Sequence, residues 1–341
     1  MSMSDSNTSV MCPEPILQIR DLAVEFPTPN GGWRRVVDDL SLEVATSERM
    51  ALVGESGSGK SVLALAALGL VAGSGRIGSG RITVGGLDLA AADGDRLREI
   101  RGGTIGLVFQ EPSAALNPVL RVGFQIAETA MSHRRLDRNR ARLETRRLLE
   151  DVAIEDADRV AAAYPHQLSG GQLQRVMIAL ALAGSPRLLI ADEPTTALDV
   201  LTQVQILDLL RSLTGDPMAL LLISHDLAVV SGLVDRVVVM YAGQVIEQAP
   251  TAELFGRPLH PYTRQLLDAA ADGGLDRGLN RIHGPEGVSR GCRFAARCPI
   301  SEPQCLTGEP TLAMIGDCRA VRCPVAVRGT VTTADGGTRD V

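Results

Sequence analysis

The sequence predicts an α/β protein with a largely parallel sheet, on three observations. Two runs, RLLIAD (Arg187–Asp192) and ALLLISH (Ala219–His225), are continuously apolar rather than alternating, the pattern of strands covered on both faces. Helical spacing fills the stretch between Val119 and Leu182. A glycine-rich turn, GESGSGKS (Gly54–Ser61), joins the apolar run ALV to a compact apolar helix over Val62–Val71.

The elements follow in order. The N-terminal stretch MSMSDSNTSVMCPEP lacks a basic segment followed by an apolar one, so residues 1–15 are expected to form a disordered tail and not a secretory signal. From Ile16 to Val53, ILQIRDLAVEF, VVDDLSLEV and RMALVG are strand runs separated by the turn-rich PTPNGG, and Trp33 falls in an expected loop insertion. GRITVGGLDLA and GTIGLVFQ return to strands after the first helix. The arginine-rich run His133–Arg147 reads as a solvated helix face and not as a nucleic-acid surface. From about Gly256 the periodicity breaks into Pro, Gly and Cys, marking a C-terminal extension, and residues 329–341 are expected to be disordered.

A chain of 341 residues fits one large domain with an appendage. Its net charge of −6 gives a nucleic-acid partner no support. The longest apolar run, Val62–Ala72, is shorter than the ~20 residues that cross a bilayer. Of six cysteines, five crowd between Cys292 and Cys323; without an export signal that spacing suggests metal more than disulfides.

Gly54, Gly59, Lys60 and Ser61 match the phosphate-loop pattern G-x-x-x-x-G-K-[ST] in the strand–loop–helix context it requires. Ser56, Gly57, Ser58 and Val62 complete the expected phosphate contacts, where backbone N–H groups and a helix N-terminus meet the anion. Lys60 is the only lysine in the chain; all other basic residues are arginine. A compact ammonium fits inside a loop closed around phosphates, whereas a planar guanidinium would prop it open. Ser61 is the expected Mg²⁺ ligand. LLIADE ends an apolar strand in two carboxylates: Asp192 suits the Mg²⁺ shell, and Glu193 suits the base or water-positioner for attack on a γ-phosphate. LSGGQ (Leu168–Gln172) opens a helix with exposed N–H groups. A helix cap with a glycine turn accounts for it alone, but beside the first loop it gives one chain two anion-binding helix starts.

In this order the motifs resemble those of the ATP-binding-cassette (ABC) ATPases. The resemblance implies an ABC-type nucleotide-binding domain over 16–255, a RecA-like core with an antiparallel β subdomain and an inserted helical subdomain at about 113–183. It implies that two cassettes sandwich two ATP molecules, each between the phosphate loop of one and the signature, Ser169, Gly170, Gly171 and Gln172, of the other. Gln110 in VFQEP would sense Mg²⁺ and nucleotide, Asp199 in ALD would belong to the dimer interface, and His225 would contact the γ-phosphate. Adenine would stack on an aromatic residue before the loop, Phe26 in preference to Trp33.

GSGKSVLALAALGL, FQEPSAALNPVL, YPHQLSGGQLQRVMIALAL and PLHPYTRQLL are similar to the ATPase subunits of dipeptide and oligopeptide permeases, of the type called D. That resemblance implies a peptide importer, with nickel, sugar or glutathione as alternative cargo and a soluble non-transport ABC ATPase as the other reading. It implies a second, homologous ATPase in a heterodimer, two transmembrane permease subunits, an extracytoplasmic binding protein, and a peripheral place on the cytoplasmic face of the membrane. In the extension at 256–328 it implies a [4Fe–4S] cluster on Cys292, Cys298, Cys305 and Cys323, with Cys318 the other candidate for the fourth ligand. Zinc is the alternative, although no C-x₂-C knuckle is present among these cysteines.

Overall fold

A computed structural model describes residues 15–271 and 291–331, apart from 72, 197 and 317. Most of both expected tails, 1–14 and 332–341, lies outside the described residues. Strands β1 (Pro15–Pro27), β2 (Trp33–Ala45) and β3 (Arg49–Val53) lead into helix α1 (Lys60–Ala66). Next come β4 (Arg76–Val84), β5 (Leu87–Asp88) and β6 (Ile105–Val108). A helical layer follows: α2 (Val122–Arg134), α3 (Arg138–Asp151), α4 (Ala157–Ala162) and α5 (Gly170–Leu182). The chain then runs through β7 (Leu188–Asp192), α6 (Val200–Leu213), β8 (Ala219–Ser224), β9 (Arg236–Tyr241) and β10 (Gln244–Pro250). It closes with α7 (Thr251–Gly256), α8 (Pro261–Ala271), β11 (Ala313–Met314), β12 (Ala320–Val321) and α9 (Pro324–Val331).

The strands form a four-stranded antiparallel sheet, β2-β1-β4-β5, and an eight-stranded sheet in the order β11-β12-β10-β9-β3-β8-β7-β6. In the latter β6, β7, β8, β3 and β9 are parallel neighbours. The continuous apolar runs are explained by cover on both faces. Along β8, Leu220 and Leu222 enter the core shared with the helical layer, whereas Leu221 and Ile223 enter the core shared with α1 and the antiparallel sheet. Val122, Ile126, Leu149, Val160, Val176 and Ile178 anchor the helices to the first of these cores.

Three local expectations are corrected. Trp33 opens β2 opposite Pro27 and is not in a loop insertion, because the PTPNGG turn is tight enough for pairing to resume at once. Helix α1 stops at Ala66, before a turn in which Gly69 has φ +63°, a conformation that ends a helix. The extension joins the main sheet: β12 pairs with β10, Glu247 opposite Val321, and with β11 adds two strands at its edge. Strands of two residues carry no periodicity from which to read them. Helix α9 runs three residues into the segment expected to be disordered.

Candidate nucleotide site

The site lies where the parallel strands end. In a parallel sheet the C-terminal ends share one edge, and loops leaving that edge meet there. The phosphate loop leaves β3, Gln110 follows β6, Asp192 ends β7 with Glu193 after it, and His225 follows β8. Four motifs far apart in sequence therefore converge.

Two loop glycines are required by close approach. A Cβ on Gly54 would come within 2.2 Å of the Met240 carbonyl, and one on Gly59 (φ +102°) within 2.8 Å of the Val36 carbonyl. Lys60 is 5 % exposed. Its ammonium donates to the carbonyls of Gly54 (2.8 Å) and Glu55 (2.9 Å) and to Ser58 Oγ (3.4 Å). Three donors thus meet three acceptors of the loop itself, and burial pushes the lysine pKa down. Ser56, Gly57 and Ser61 face solvent, Ser58 is buried, and Val62 is half-buried in α1.

Ser61 donates to Asp192, whose pKa is raised chiefly by burial. Asp192 Oδ1 is buried with no hydrogen-bond partner among the described residues. A buried carboxylate oxygen left open beside a hydroxyl fits a hard cation with oxygen ligands. Glu193 accepts from His225 Nδ1 (3.2 Å), Gln110 Nε2 (3.1 Å) and Thr196 Oγ1 (3.0 Å). The histidine bond, foremost, holds its carboxyl below the ordinary range, and the same bond lifts His225 above its own. Glu193 sits at φ +45°, an uncommon backbone conformation for a residue with a side chain. Gln110, expected in the Mg²⁺ shell, donates to Glu193.

The signature belongs to the helical layer. Ser169 caps α5 reciprocally with Gln172: each side chain takes the other's backbone N–H. Ser169 and Gly170 are exposed, and a Cβ on Gly171 would lie 3.1 Å from Thr202. Asp199 caps α6 through the Thr202 N–H (3.0 Å). Signature and Asp199 loop are therefore neighbours in one chain. Phe26 is half-buried, its ring only 2.6 Å from where a Gly75 Cβ would lie; Trp33 is 44 % exposed under the Arg76 guanidinium at 3.8 Å.

Of the five cysteines among the described residues, Cys305 and Cys323 are buried, Cys292 and Cys298 partly so, and Cys318 is exposed; none of these five is in a disulfide. Cys292, Cys298, Cys305 and Cys323 lie within electrostatic reach of one another. Backbone N–H groups of Phe294, Ile300 and Val325 and Ala326 point at the sulfurs of Cys292, Cys298 and Cys323 respectively. Yet among the described residues no three His, Cys, Asp or Glu side chains are arranged to hold a metal ion.

Sequence reading missed Glu55, Tyr262, Arg297 and Thr196. The Glu55 N–H donates to Tyr262 Oη (2.9 Å), and Arg297 grips the Glu55 carboxylate. Tyr262 lies in the quoted PLHPYTRQLL, but no spacing ties that run to the loop.

Residues 37–196 match the family described as ABC transporter, and residues 246–305 match the family described as oligopeptide/dipeptide transporter, C-terminal region. A putative peptide import ATP-binding protein of Brucella abortus (strain 2308) is 48 % identical over 319 residues, spanning 91 % of this chain and 95 % of that protein. The oligopeptide transport ATP-binding protein AppD of Bacillus subtilis is 46 % identical over 295 residues, 84 % of this chain and 90 % of its own. Among solved structures, a dimeric ATP-binding cassette in a post-hydrolysis state with ADP and Pi superposes with TM-score 0.62 at 27 % identity, covering 69 % of this chain and 98 % of that one. The cbiO1 protein of Clostridium perfringens, part of an ABC transporter complex, gives 0.61 at 27 % identity, covering 71 % and 91 %.

Fold and site define an ATP-hydrolysing cassette. The chain belongs to the ABC transporter family of ATP-binding proteins, in the branch that carries the oligopeptide/dipeptide-type C-terminal region.

Proposed function

We propose that this chain is the ATP-hydrolysing, energy-coupling subunit of an importer for di- or oligopeptides. The observation that carries the chemistry is the convergence of Gln110, Thr196 and His225 on Glu193, beside the Ser61–Asp192 pair with its open oxygen. The peptide cargo is supported by relatives named for peptide import across nine-tenths of the chain.

Lys60 exchanges its loop carbonyls for β- and γ-phosphate oxygens when ATP enters. Amides from Ser56 to Val62 orient the triphosphate, and Trp33 offers adenine a more open ring than Phe26. Ser61, Asp192 and Gln110 would hold Mg²⁺, which when bound neutralises charge on the phosphates. The Glu193 carboxylate orients and deprotonates the attacking water, whose oxygen bonds to the γ-phosphorus as the bond to the leaving ADP oxygen breaks. His225 holds Glu193 in place and reaches the γ-phosphate from the end of β8. The second cassette supplies Ser169–Gln172 to complete each site, Asp199 lies at that interface, and the pair is a heterodimer seated on two permease subunits served by a binding protein. Among the described residues no helix is long and apolar enough to cross a membrane; the peripheral place at the cytoplasmic face belongs to the importer reading.

Cys292, Cys298, Cys305 and Cys323 would hold a [4Fe–4S] cluster, with Zn²⁺ the alternative. The burial of Cys305 and Cys323 and the N–H groups aimed at three of the four sulfurs favour this set over one with the exposed Cys318. Elemental analysis for iron, sulfide and zinc on anaerobically purified protein decides it.

The functional test is ATPase activity of the co-expressed transporter with its binding protein, challenged with peptides, nickel, sugars and glutathione. Stimulation by peptides is expected. Stimulation by another cargo alone, or by ribosomes or DNA, overturns the peptide reading.

A further inference from the structure

Glu55 is assigned to neither nucleotide nor metal, yet its side chain and both its backbone polar groups are engaged. Its N–H donates to Tyr262 Oη (2.9 Å). Its carbonyl accepts from Lys60 Nζ (2.9 Å) and from the Ser58 N–H (3.1 Å). Its carboxylate accepts from both terminal nitrogens of Arg297 (2.9 and 3.1 Å), a bidentate pair. Glu55 therefore links the phosphate-binding lysine to two residues more than 200 positions downstream.

Those two residues cannot drift. Tyr262 is fully buried and packs on Tyr241 and Phe294, with ring centroids at 4.7 and 5.5 Å. The Arg297 guanidinium lies over Tyr241 and Phe294, and its side chain is 11 % exposed. Arg297 also sits in the segment between Cys292 and Cys298, so the cysteine-bearing extension is wired to the loop. The charges give the wiring a purpose. A bare carboxylate at the second position of a triphosphate loop would repel the ligand, and Arg297 neutralises it without entering the loop.

We propose that Arg297 and Tyr262 are positioning residues for the phosphate loop, and that through Glu55 the C-terminal extension sets nucleotide affinity. This rests on the reading of residues 54–61 as the ATP site. The loop amide that Tyr262 occupies is withdrawn from the phosphates, which fixes where the following amides point. The carbonyl on the same residue then presents Lys60 at the centre of the loop.

The test is calorimetric titration of the purified full chain with ATP and with ADP. Arg297→Ala is expected to weaken ATP binding roughly tenfold, within the range for residues coupled in one network. Adding Glu55→Gln to Arg297→Ala removes the uncompensated charge and is expected to restore most of that loss, with ADP less affected than ATP. Tyr262→Phe keeps the ring packing and deletes only the acceptor; an effect of about threefold is expected. Wild-type affinity in Arg297→Ala, or a loss that tracks melting temperature and is not rescued by Glu55→Gln, overturns the proposal. If Arg297→Ala does not fold, Arg297→Gln keeps a polar side chain without the charge, and wild-type affinity there overturns it equally. Lys60→Ala separates the two failures. If it abolishes binding while the Arg297 variants bind ATP as tightly as wild type, only the positioning role falls; if it binds normally, the ATP-site reading falls and takes this inference with it.

Discussion

Glu193 and Glu247 are both glutamates with three donors, and they behave as opposites. Glu193 takes its hydrogen bonds from an amide, a hydroxyl and an imidazole, side chains able to turn elsewhere. Glu247 is wholly buried, held by the backbone N–H groups of Leu259 (2.9 Å) and His260 (2.8 Å) and by Arg319 (3.2 Å). The first set can be exchanged for water and phosphate, and the second cannot be released without leaving a charge in the core. The same division separates the cations. At the nucleotide end a lysine holds only its own loop. In the extension Arg293, Arg297, Arg319 and Arg322 reach back to Asp38, Glu55, Glu247 and Asp39 respectively. A forked guanidinium suits a permanent clamp, and a compact ammonium suits a partner that must be traded. Glu55 is the point where the two ends touch.

Replacing Glu247 should break the structural half of this contrast most severely. Glu247→Ala removes the buried carboxylate from Arg319, leaving it only the more exposed Glu253 (3.5 Å), and strips the Leu259 and His260 N–H groups of their acceptor; it should lower unfolding free energy by ~3–5 kcal/mol, read from urea midpoints. A loss under about 1 kcal/mol would place the pair among weak surface bridges. Glu193→Gln should do the reverse: ATP binding and urea midpoint stay near wild type, while hydrolysis falls by at least ~10². Near-normal turnover would remove Glu193 from the chemistry. Lys60→Arg sharpens the cation half. Affinity for ATP should fall roughly tenfold although the charge is kept, because the fork does not fit a loop closed around one ammonium. Unchanged calorimetric affinity would mean the solitary lysine reflects something other than size.

The smallest effect is in titration. His225 is raised above its ordinary 6.5 by its hydrogen bond to Glu193, so its contribution to stability is complete below pH 6.5 and is lost as pH rises through the raised value. Glu193, held below its ordinary 4.5 chiefly by the same bond, contributes above pH 4.5 and loses that contribution as pH falls through its lowered value. The pair is therefore strongest between those limits. Imidazole NMR should place His225 above 6.5, and Glu193→Gln should bring it back toward that value. His260 offers the contrast, pushed down to about 3 by burial and silent over the same range.

Much of the nucleotide end was legible because its signals are local. Gly54, Gly59, Lys60 and Ser61 are read from a fixed spacing, and the strand before Asp192 from an unbroken apolar run. Ser169 and Gln172 could be read as a cap three residues apart. The extension was legible only in outline. Its strands are two residues long, its cysteine spacing fits no short knuckle, and its clamps are arginines in a chain where nearly every basic residue is arginine. Phe26 and Trp33 illustrate the same limit. Both precede the loop in sequence, but only the structure shows that one ring is packed under Gly75 and the other, 44 % exposed, lies against Arg76.

The sequence by itself determined the class of site, because a phosphate loop needs particular backbone conformations and one small cation within eight consecutive residues. The tertiary structure alone decided which carboxylate gathers Gln110, Thr196 and His225, since parallel strand order brings those ends to one edge. It alone decided that Tyr262 and Arg297 close on Glu55, 207 and 242 residues away, because such a contact depends on how the extension docks and on no local pattern.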